Sequence, residues 1–509
     1  MTLKSTMNQM QHYVYAGFPI LYLHTYEELK ADQLIRELAK ATERSVLEWD
    51  AANGLREWAD DQGNDVLIRQ HMLDTELEQT LQMLKESGEL SNRLFVIKDG
   101  HPYLQDARTI RSLKEIAHRI LTGEASAVVV LISPVLTIPR ELEKYMTVLE
   151  FEHMDEQAIR SIIHEFTSYY KLPDIAPKLL EDTIAAFKGL SEFEIRNILS
   201  LAYANDGAFD KVDLRLIHEH KQQVIMKSGI LQMIQLKEDL QDIGGLENLK
   251  VWLKKKAFVM KDSKHARAFG VDMPKGVLIA GVPGCGKSLA AKAVAKLFDV
   301  PLLRLDMGRL LGKYVGESEA NMRSAIALAD AISPCVLWID ELEKAFAGIG
   351  DGGGGAEVTT RLFGNFLTWM QEKTSSAFVV ATANDILKLP PELMRKGRFD
   401  EIFYVGLPTD AERRKIFEIH ISKRRKNDLP GIDLDKLVQR TKGFSGADIE
   451  GVVKDGVESA FAANKQALST DDLLLAVQST HSLSEIMKEP LERMMKEYEA
   501  RKFKKASIG

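Results

Sequence analysis

The amino-acid sequence predicts an α/β protein of two consecutive parallel-sheet modules, each followed by a helical region, and only the second carries a phosphate-binding loop. Three observations lead there. Apolar runs of strand length alternate with amphipathic helical stretches in both halves, the pattern of a parallel sheet with crossover helices. A glycine loop, "GVPGCGKS" at 281–288, lies between a buried strand and an Ala-rich helix in the second half alone. Two passages of the first half return in the same order in the second: "TIPRELEKYMTVLEF" (137–151) beside "KLPPELMRKGRFDEIFYV" (388–405), and "GLSEFEIRNIL" (189–199) beside "GFSGADIEGVV" (443–453).

The chain has 509 residues, 45% of them hydrophobic, enough for about three to five domains of ordinary size. No apolar run approaches the ~18 residues of a membrane-spanning helix, and the first residues lack the apolar core and cleavage site of a signal peptide. A cytoplasm-like compartment is therefore expected, with no membrane partner. Cys285 and Cys335 are the only cysteines, too few for a metal cage, which points to a reducing setting without disulfides. A net charge of −7 disfavours a broad nucleic-acid surface, and "KRRK" (423–426) reads as a solvated helix face.

In the first half, strands are expected at 18–25, 45–50, 93–100, 127–134 and 146–152, followed by helices from 154 to 225. Where the glycine loop should stand, the sequence reads "HTYEELK". Glu27 and Glu28 there would repel a phosphate instead of cradling it. Asp99 ends its strand as the counterpart of a first acid and is followed by Gly100, so a water-polarising glutamate is absent, and no arginine pair follows Glu141 and Leu142.

In the second half, "GVLIA" (276–280) reads as a strand and "SLAAKAVAKLF" (288–298) as a helix. Between them, backbone N–H groups can turn inward around a polyphosphate, aided by the helix N-terminus. Lys287 would neutralise the β and γ oxygens, and the Ser288 hydroxyl would ligate Mg²⁺. Cys285 is a small loop residue, with a redox role conceivable near a helix N-terminus. "CVLWIDE" (335–341) ends in two carboxylates that alternation directs differently: Asp340 toward the metal, Glu341 toward a water attacking the γ-phosphate. Asn384, at the end of "AFVVATAN" (377–384), could orient that water. Arg395 and Arg398 fall in a Pro/Gly-bounded loop from which a guanidinium could reach a neighbouring subunit's phosphate.

"DIGGLE" (242–247), "GVPGCGKS", "IDELEKAF", "TAN", "RKGRFD" and "GFSGADIE" (443–450) together resemble, in order and spacing, the AAA ATPase module. The whole chain is similar to the hypothetical-chloroplast-reading-frame AAA ATPases of plastids and bacteria, which implies the stroma as its compartment if the chain is plastid-encoded. The resemblance implies a homo-oligomeric ring, usually hexameric, with ATP and Mg²⁺ between neighbours. It places Asp242, Ile243 and Gly244 beside the adenine, with Gly446 and Ala447 from the lid. The nucleotide would also meet Pro283, Gly284, Cys285 and Gly286 of the loop and Leu289 just past it. In "GKYVGESE" (312–319) it implies a pore loop of Lys313, Tyr314 and Val315, and "GIGDGGGGAE" (348–357) falls where a second pore loop would lie.

The expected boundaries are a degenerate AAA-like α/β domain at 1–153, a lid-like helical domain at 154–228, a linker at 229–241, the ATPase α/β domain at 242–408, its lid at 409–480 and a tail at 481–509. The linker stretch "LQMIQLKEDLQ" (231–241) has a helical pattern. The tail is an amphipathic helix whose Leu491, Met494, Met495 and Tyr498 read as core or subunit contact. The leading functional expectation is an ATPase that remodels or threads a protein substrate, with substrate or adaptor held through residues 1–228. A nucleotide-dependent regulatory scaffold stands beside it, and a nucleic-acid-acting ATPase ranks last.

Overall fold

The computed structural model describes residues 3–58, 76–87, 90–150, 154–227, 229–236, 239–310, 317–346, 355–395 and 397–508. The chain divides into two compact units, Met1–Asp213 and Leu214–Gly509.

The first unit holds a six-stranded sheet made of β1 (Ile20–His24), β2 (Ser45–Asp50), β3 (Gly54–Glu57), β4 (Arg93–Lys98), β5 (Ala127–Ser133) and β6 (Met146–Glu150). Their spatial order is β3-β2-β4-β5-β1-β6. All five predicted strands are present and pair in parallel. Their near-continuous apolar runs suit strands covered on both faces: Tyr22, Trp49 and Phe95 pack on one side, Leu23, Val96 and Val130 on the other. Only β3 was not anticipated. It returns antiparallel along β2 after a turn in which Asp50 Oδ1 accepts the N–H groups of Ala52 and Asn53, each at 2.8 Å. The helices Glu156–Tyr169, Pro177–Phe187 and Glu192–Asp206 follow, and the next helix, Asp213–Lys227, falls beyond its first residue in the second unit, where Ile225 joins the core.

The second unit holds a seven-stranded sheet of β7 (Leu231–Ile234), β8 (Gly276–Gly281), β9 (Leu302–Leu305), β10 (Cys335–Ile339), β11 (Ala377–Ala383), β12 (Glu401–Val405) and β13 (Lys504–Lys505). It is ordered β13-β12-β8-β11-β10-β9-β7. The helical reading of 231–241 is corrected here. Leu231–Ile234 is an edge strand antiparallel to β9, because a four-residue apolar run carries no usable period and an open sheet edge offers it main-chain partners. A run of helices again follows strand β12: Asp410–Arg425, Leu434–Arg440, Gly446–Ala462 and Thr470–Ser479. The tail helix Lys488–Ala500 buries Leu491, Met494 and Tyr498 in the core, while Met495 is largely exposed.

The two units are built on one plan. The parallel strands run β6-β1-β5-β4-β2 in the first and β12-β8-β11-β10-β9 in the second, the same order when counted along each unit. The sequence echo at the third lid helix has a physical counterpart as well. Ser191 with Glu194, and Ser445 with Asp448, each close a reciprocal capping box, satisfying two first-turn donors. Each box follows a left-handed glycine, Gly189 at φ 83° and Gly443 at φ 86°, and a buried Leu190 or Phe444. An AAA-like fold for the first half is therefore present.

Candidate nucleotide site

β8 is buried along its whole length and delivers the chain to the glycine loop at the sheet's carboxyl edge. Gly281 has φ 144°, and a Cβ there would stand 2.0 Å from the Val405 carbonyl oxygen, so no side chain fits. The helix Lys287–Phe298 then packs an alanine-rich face, including Ala290, Ala293 and Val294, against the sheet. This close approach fixes the loop and helix N-terminus together.

Lys287 is buried, and its ammonium donates to the carbonyls of Gly281 (3.0 Å) and Val282 (2.8 Å). Burial pushes its pKa down to about 8, against the pull of the nearby acids. Ser288 Oγ donates to Asp340 Oδ1 at 3.1 Å, and the Thr382 hydroxyl donates to the same oxygen at 2.6 Å. Glu341 follows with φ 50°, a left-handed backbone rare for glutamate, its N–H bonded to Thr382 Oγ1 at 3.1 Å. Asn384 Nδ2 donates to Glu341 Oε1 at 3.3 Å, and the Asn384 N–H donates to the buried Glu343 at 3.0 Å. Burial raises the pKa of Glu343.

A cavity of about 440 Å³ opens over these groups. It is lined by Asp242, Ile243, Gly244, Pro283, Gly284, Cys285, Gly286, Lys287, Ser288, Leu289, Asp340, Glu341, Asn384, Gly446 and Ala447. Residues assigned from five separate sequence segments thus meet in one pocket. The lid docks directly on the loop, the Ala447 N–H donating to the Gly284 carbonyl at 2.9 Å. Lys423 of the lid pairs with Asp242 at 2.8 Å and lowers the pKa of that carboxyl. The Cys285 thiol is pushed up to about 11 by burial, which removes the thiolate a redox role would need.

Arg395 is exposed and lies away from this lining, and Arg398 donates to the Glu392 carbonyl of its own loop. Lys313, Tyr314 and Val315 lie outside the described residues, as does most of 348–357. Sequence reasoning missed Leu246, Thr382, Gly406, Pro408, Glu412, Ile416, His420, Glu450 and Ser507, which also line the cavity. Two of these left a signal: Thr382 is a lone hydroxyl in an apolar strand, and Glu412 closes a capping box with Thr409. Ser507 left none.

The equivalent corner of the first unit is built with inverted charge. The chain leaves β4 through a left-handed Asp99 (φ 49°), as it leaves β10 through Glu341, and the Asp99 N–H reaches Ile132 of β5 where Glu341 reaches Thr382 of β11. This corrects the reading of Asp99 as the counterpart of the first acid. Asp99 corresponds to Glu341, and Lys98 stands where Asp340 does. Lys98 lies 2.9 Å from Glu28, 2.9 Å from Asp32 and 3.0 Å from the buried Glu48. Burial alone would lower its pKa, but these carboxylates outweigh it and raise it. Glu27 accepts the Glu192 N–H of the third lid helix at 3.1 Å, at the place where Gly284 receives the lid in the second unit.

Comparison with known proteins gives family matches over four segments. Residues 6–151 match the N-terminal domain of SpoVK-like AAA ATPases, and 157–228 their second domain. Residues 277–407 match the ATPase family associated with various cellular activities (AAA), and 431–475 the AAA+ lid domain. The AAA domain-containing protein ycf46 of Guillardia theta is 37% identical over 482 residues, covering 94% of this chain and 92% of that protein. Its namesake in Trieres chinensis is 36% identical over 474 residues, 92% of each. ATPase family gene 2 protein homolog A of Homo sapiens is 34% identical over 266 residues, 51% of this chain and 29% of that protein.

Proposed function

The chain belongs to the AAA ATPase family and is an ATP-hydrolysing enzyme, and from that premise we propose that it works as a ring of identical subunits in which only the second module turns over ATP. The observation that carries this reading is the convergence of Lys287, Ser288, Asp340, Glu341 and Asn384 on one cavity. Ser288 Oγ and Asp340 Oδ1, 3.1 Å apart, form an oxygen pair suited to a Mg²⁺ ion that keeps water and phosphate ligands. When bound, that ion would neutralise charge on the transferring phosphoryl group.

Lys287 holds the β and γ oxygens and, once phosphate is beside it, stays charged. Asn384, anchored through its N–H by Glu343, aims its amide at Glu341 and fixes the carboxylate's orientation. Glu341 accepts a proton from the attacking water as the new P–O bond forms and the bond to the β–γ bridging oxygen breaks, leaving ADP and phosphate. Arg395, exposed and outside its own pocket, serves the neighbouring subunit's γ-phosphate, with Arg398 bracing the loop on Glu392. The first module neither binds nor hydrolyses the nucleotide. Its ammonium in the metal-binding acid's place and its carboxylates in the phosphate's place support this reading.

Work done by the ring is assigned to a protein substrate gripped by Lys313, Tyr314 and Val315, with residues 1–228 as the holding platform. Replacing Glu341→Gln is expected to keep ATP binding and reduce turnover by at least ~10²-fold. Wild-type turnover in that variant would end the proposed mechanism.

A further inference from the structure

The carboxyl-terminal tail contributes Ser507 to the lining of the nucleotide pocket, far from any motif. It is held there by a specific set of bonds. β13 lies parallel to β12 at the sheet's edge, the Ala506 N–H donates to the Tyr404 carbonyl at 2.8 Å, and Ala506 is fully buried. The Ala506 carbonyl in turn accepts the Leu249 N–H at 3.2 Å. Leu249 lies in the first turn of the helix Glu247–Lys261, where N–H groups have no partner within the helix, and the N-cap residue Leu246 supplies no side-chain acceptor. Asn248 of the same turn donates its amide to the carbonyls of Lys505 (3.2 Å) and Ser507 (2.9 Å). Behind the tail, Tyr498 stacks on Tyr404 with ring centroids 4.0 Å apart, tying the preceding helix to β12.

Just before the helix Glu247–Lys261 come Asp242, Ile243, Gly244 and Leu246, a wall of the cavity that also meets the lid helix Asp410–Arg425, Glu412 accepting the Leu246 N–H at 3.0 Å and Lys423 pairing with Asp242. The tail therefore caps the element that carries this wall and adds a residue of its own to it. We propose that residues 504–508 are a working part of the nucleotide site, seating Asp242–Leu246 and setting both affinity and the choice of purine base, with Asn248 as the positioning residue. This rests on the reading of the cavity as the ATP site. Base choice is the natural consequence, since adenine and guanine differ only in edge groups that a wall displaced by a fraction of an ångström no longer distinguishes.

The test titrates the full-length chain, Asn248→Ala, and a chain lacking residues 506–509 with fluorescent mant-ATP and mant-GTP. KM, kcat and the unfolding midpoint are measured alongside. Loss of the two Asn248 bonds is expected to weaken mant-ATP about 3- to 10-fold, to narrow the ATP-over-GTP preference, and to raise KM more than it changes kcat. The truncation is expected to do so more strongly. Unchanged affinity and base preference in Asn248→Ala would overturn the proposal, and this variant decides alone if the truncated chain does not fold. An equal loss for both nucleotides, in step with a lowered midpoint, would also overturn it, because that is merely structural damage. If the unaltered chain bound neither nucleotide, the reading of the cavity would fail first and this inference with it.

Discussion

Lys98 offers the sharpest test of the inverted first module. Its ammonium is the common partner of Glu28, Asp32 and Glu48, all within 3.0 Å. Replacing Lys98→Met keeps the apolar stem and leaves three carboxylates facing one another. Glu28 is more than half exposed, so water screens it and it adds little. Glu48 retains Arg56 at 2.5 Å and the Trp58 indole at 3.0 Å, which limits its penalty. Among the described residues Asp32 keeps no comparable cation, and burial already raises its pKa. Removing one partner of a buried ion pair costs about 3–5 kcal/mol, and the surviving Arg56 contact favours the lower end, about 3 kcal/mol. For a unit of this size that is a fall of roughly 6–12 °C in its unfolding midpoint.

Scanning calorimetry with and without Mg-ATP is the assay. ATP should raise the second module's transition by binding its folded form and leave the first unmoved. Lys98→Met should lower the first. The sign with pH follows from Asp32: burial already raises its folded pKa and loss of Lys98 removes the partner that lowers it, so the loss is full near pH 7.5 and shrinks as the solution is acidified through the raised value. A first transition that stays within roughly 2 °C, or that rises with ATP, would refute the reasoning.

Two further outcomes are expected. Gly281→Ala would force a methyl group onto the Val405 carbonyl, at a cost on the order of 3 kcal/mol in the loop, and should abolish mant-ATP binding while leaving the first module's transition in place. Lys287, with a pKa of about 8 in the free pocket, should take up about half a proton when ATP binds at pH 8 and little at pH 6.5, because bound phosphate favours its ammonium. Affinity should then fall by up to about tenfold per pH unit above 8, and calorimetric titrations in buffers of different ionisation enthalpy measure the uptake. The free chain gains stability over the window from about 8 up to the unfolded lysine's 10.5, since the unfolded lysine holds its proton more tightly.

Much of this was legible in the sequence wherever a local rule carried enough information. The buried strands announce themselves as unbroken Val, Ile and Leu runs, and the strand–glycine loop–helix order leaves few alternatives around Lys287. Segments fixed by tertiary partners were not legible. Leu231–Ile234 has too few residues to reveal its period, and Lys504–Lys505 becomes a strand only because β12 offers an edge. Lys98 shows why alignment by letters misleads: "KDG" and "DEL" match best by superimposing their aspartates, whereas the left-handed turn at Asp99 and Glu341 shifts the match by one residue. That shift turns a missing glutamate into an inverted charge. Ser507 reaches the pocket because its carbonyl accepts the Asn248 amide and Ala506 bonds to Tyr404 and Leu249, partners so distant in sequence that no local pattern encodes them.

The central claim is that one pocket per chain cleaves ATP and is completed by an arginine from the adjoining copy. Mixing two inactive variants measures this most directly: Glu341→Gln keeps Arg395 but has a dead pocket, and Arg395→Ala keeps the pocket but has no arginine to lend. If the arginine acts across the interface, an equimolar mixture should recover activity at about a quarter of its interfaces, where an intact pocket meets an intact arginine. Turnover in the mixture no greater than the average of the two separate variants would contradict the account.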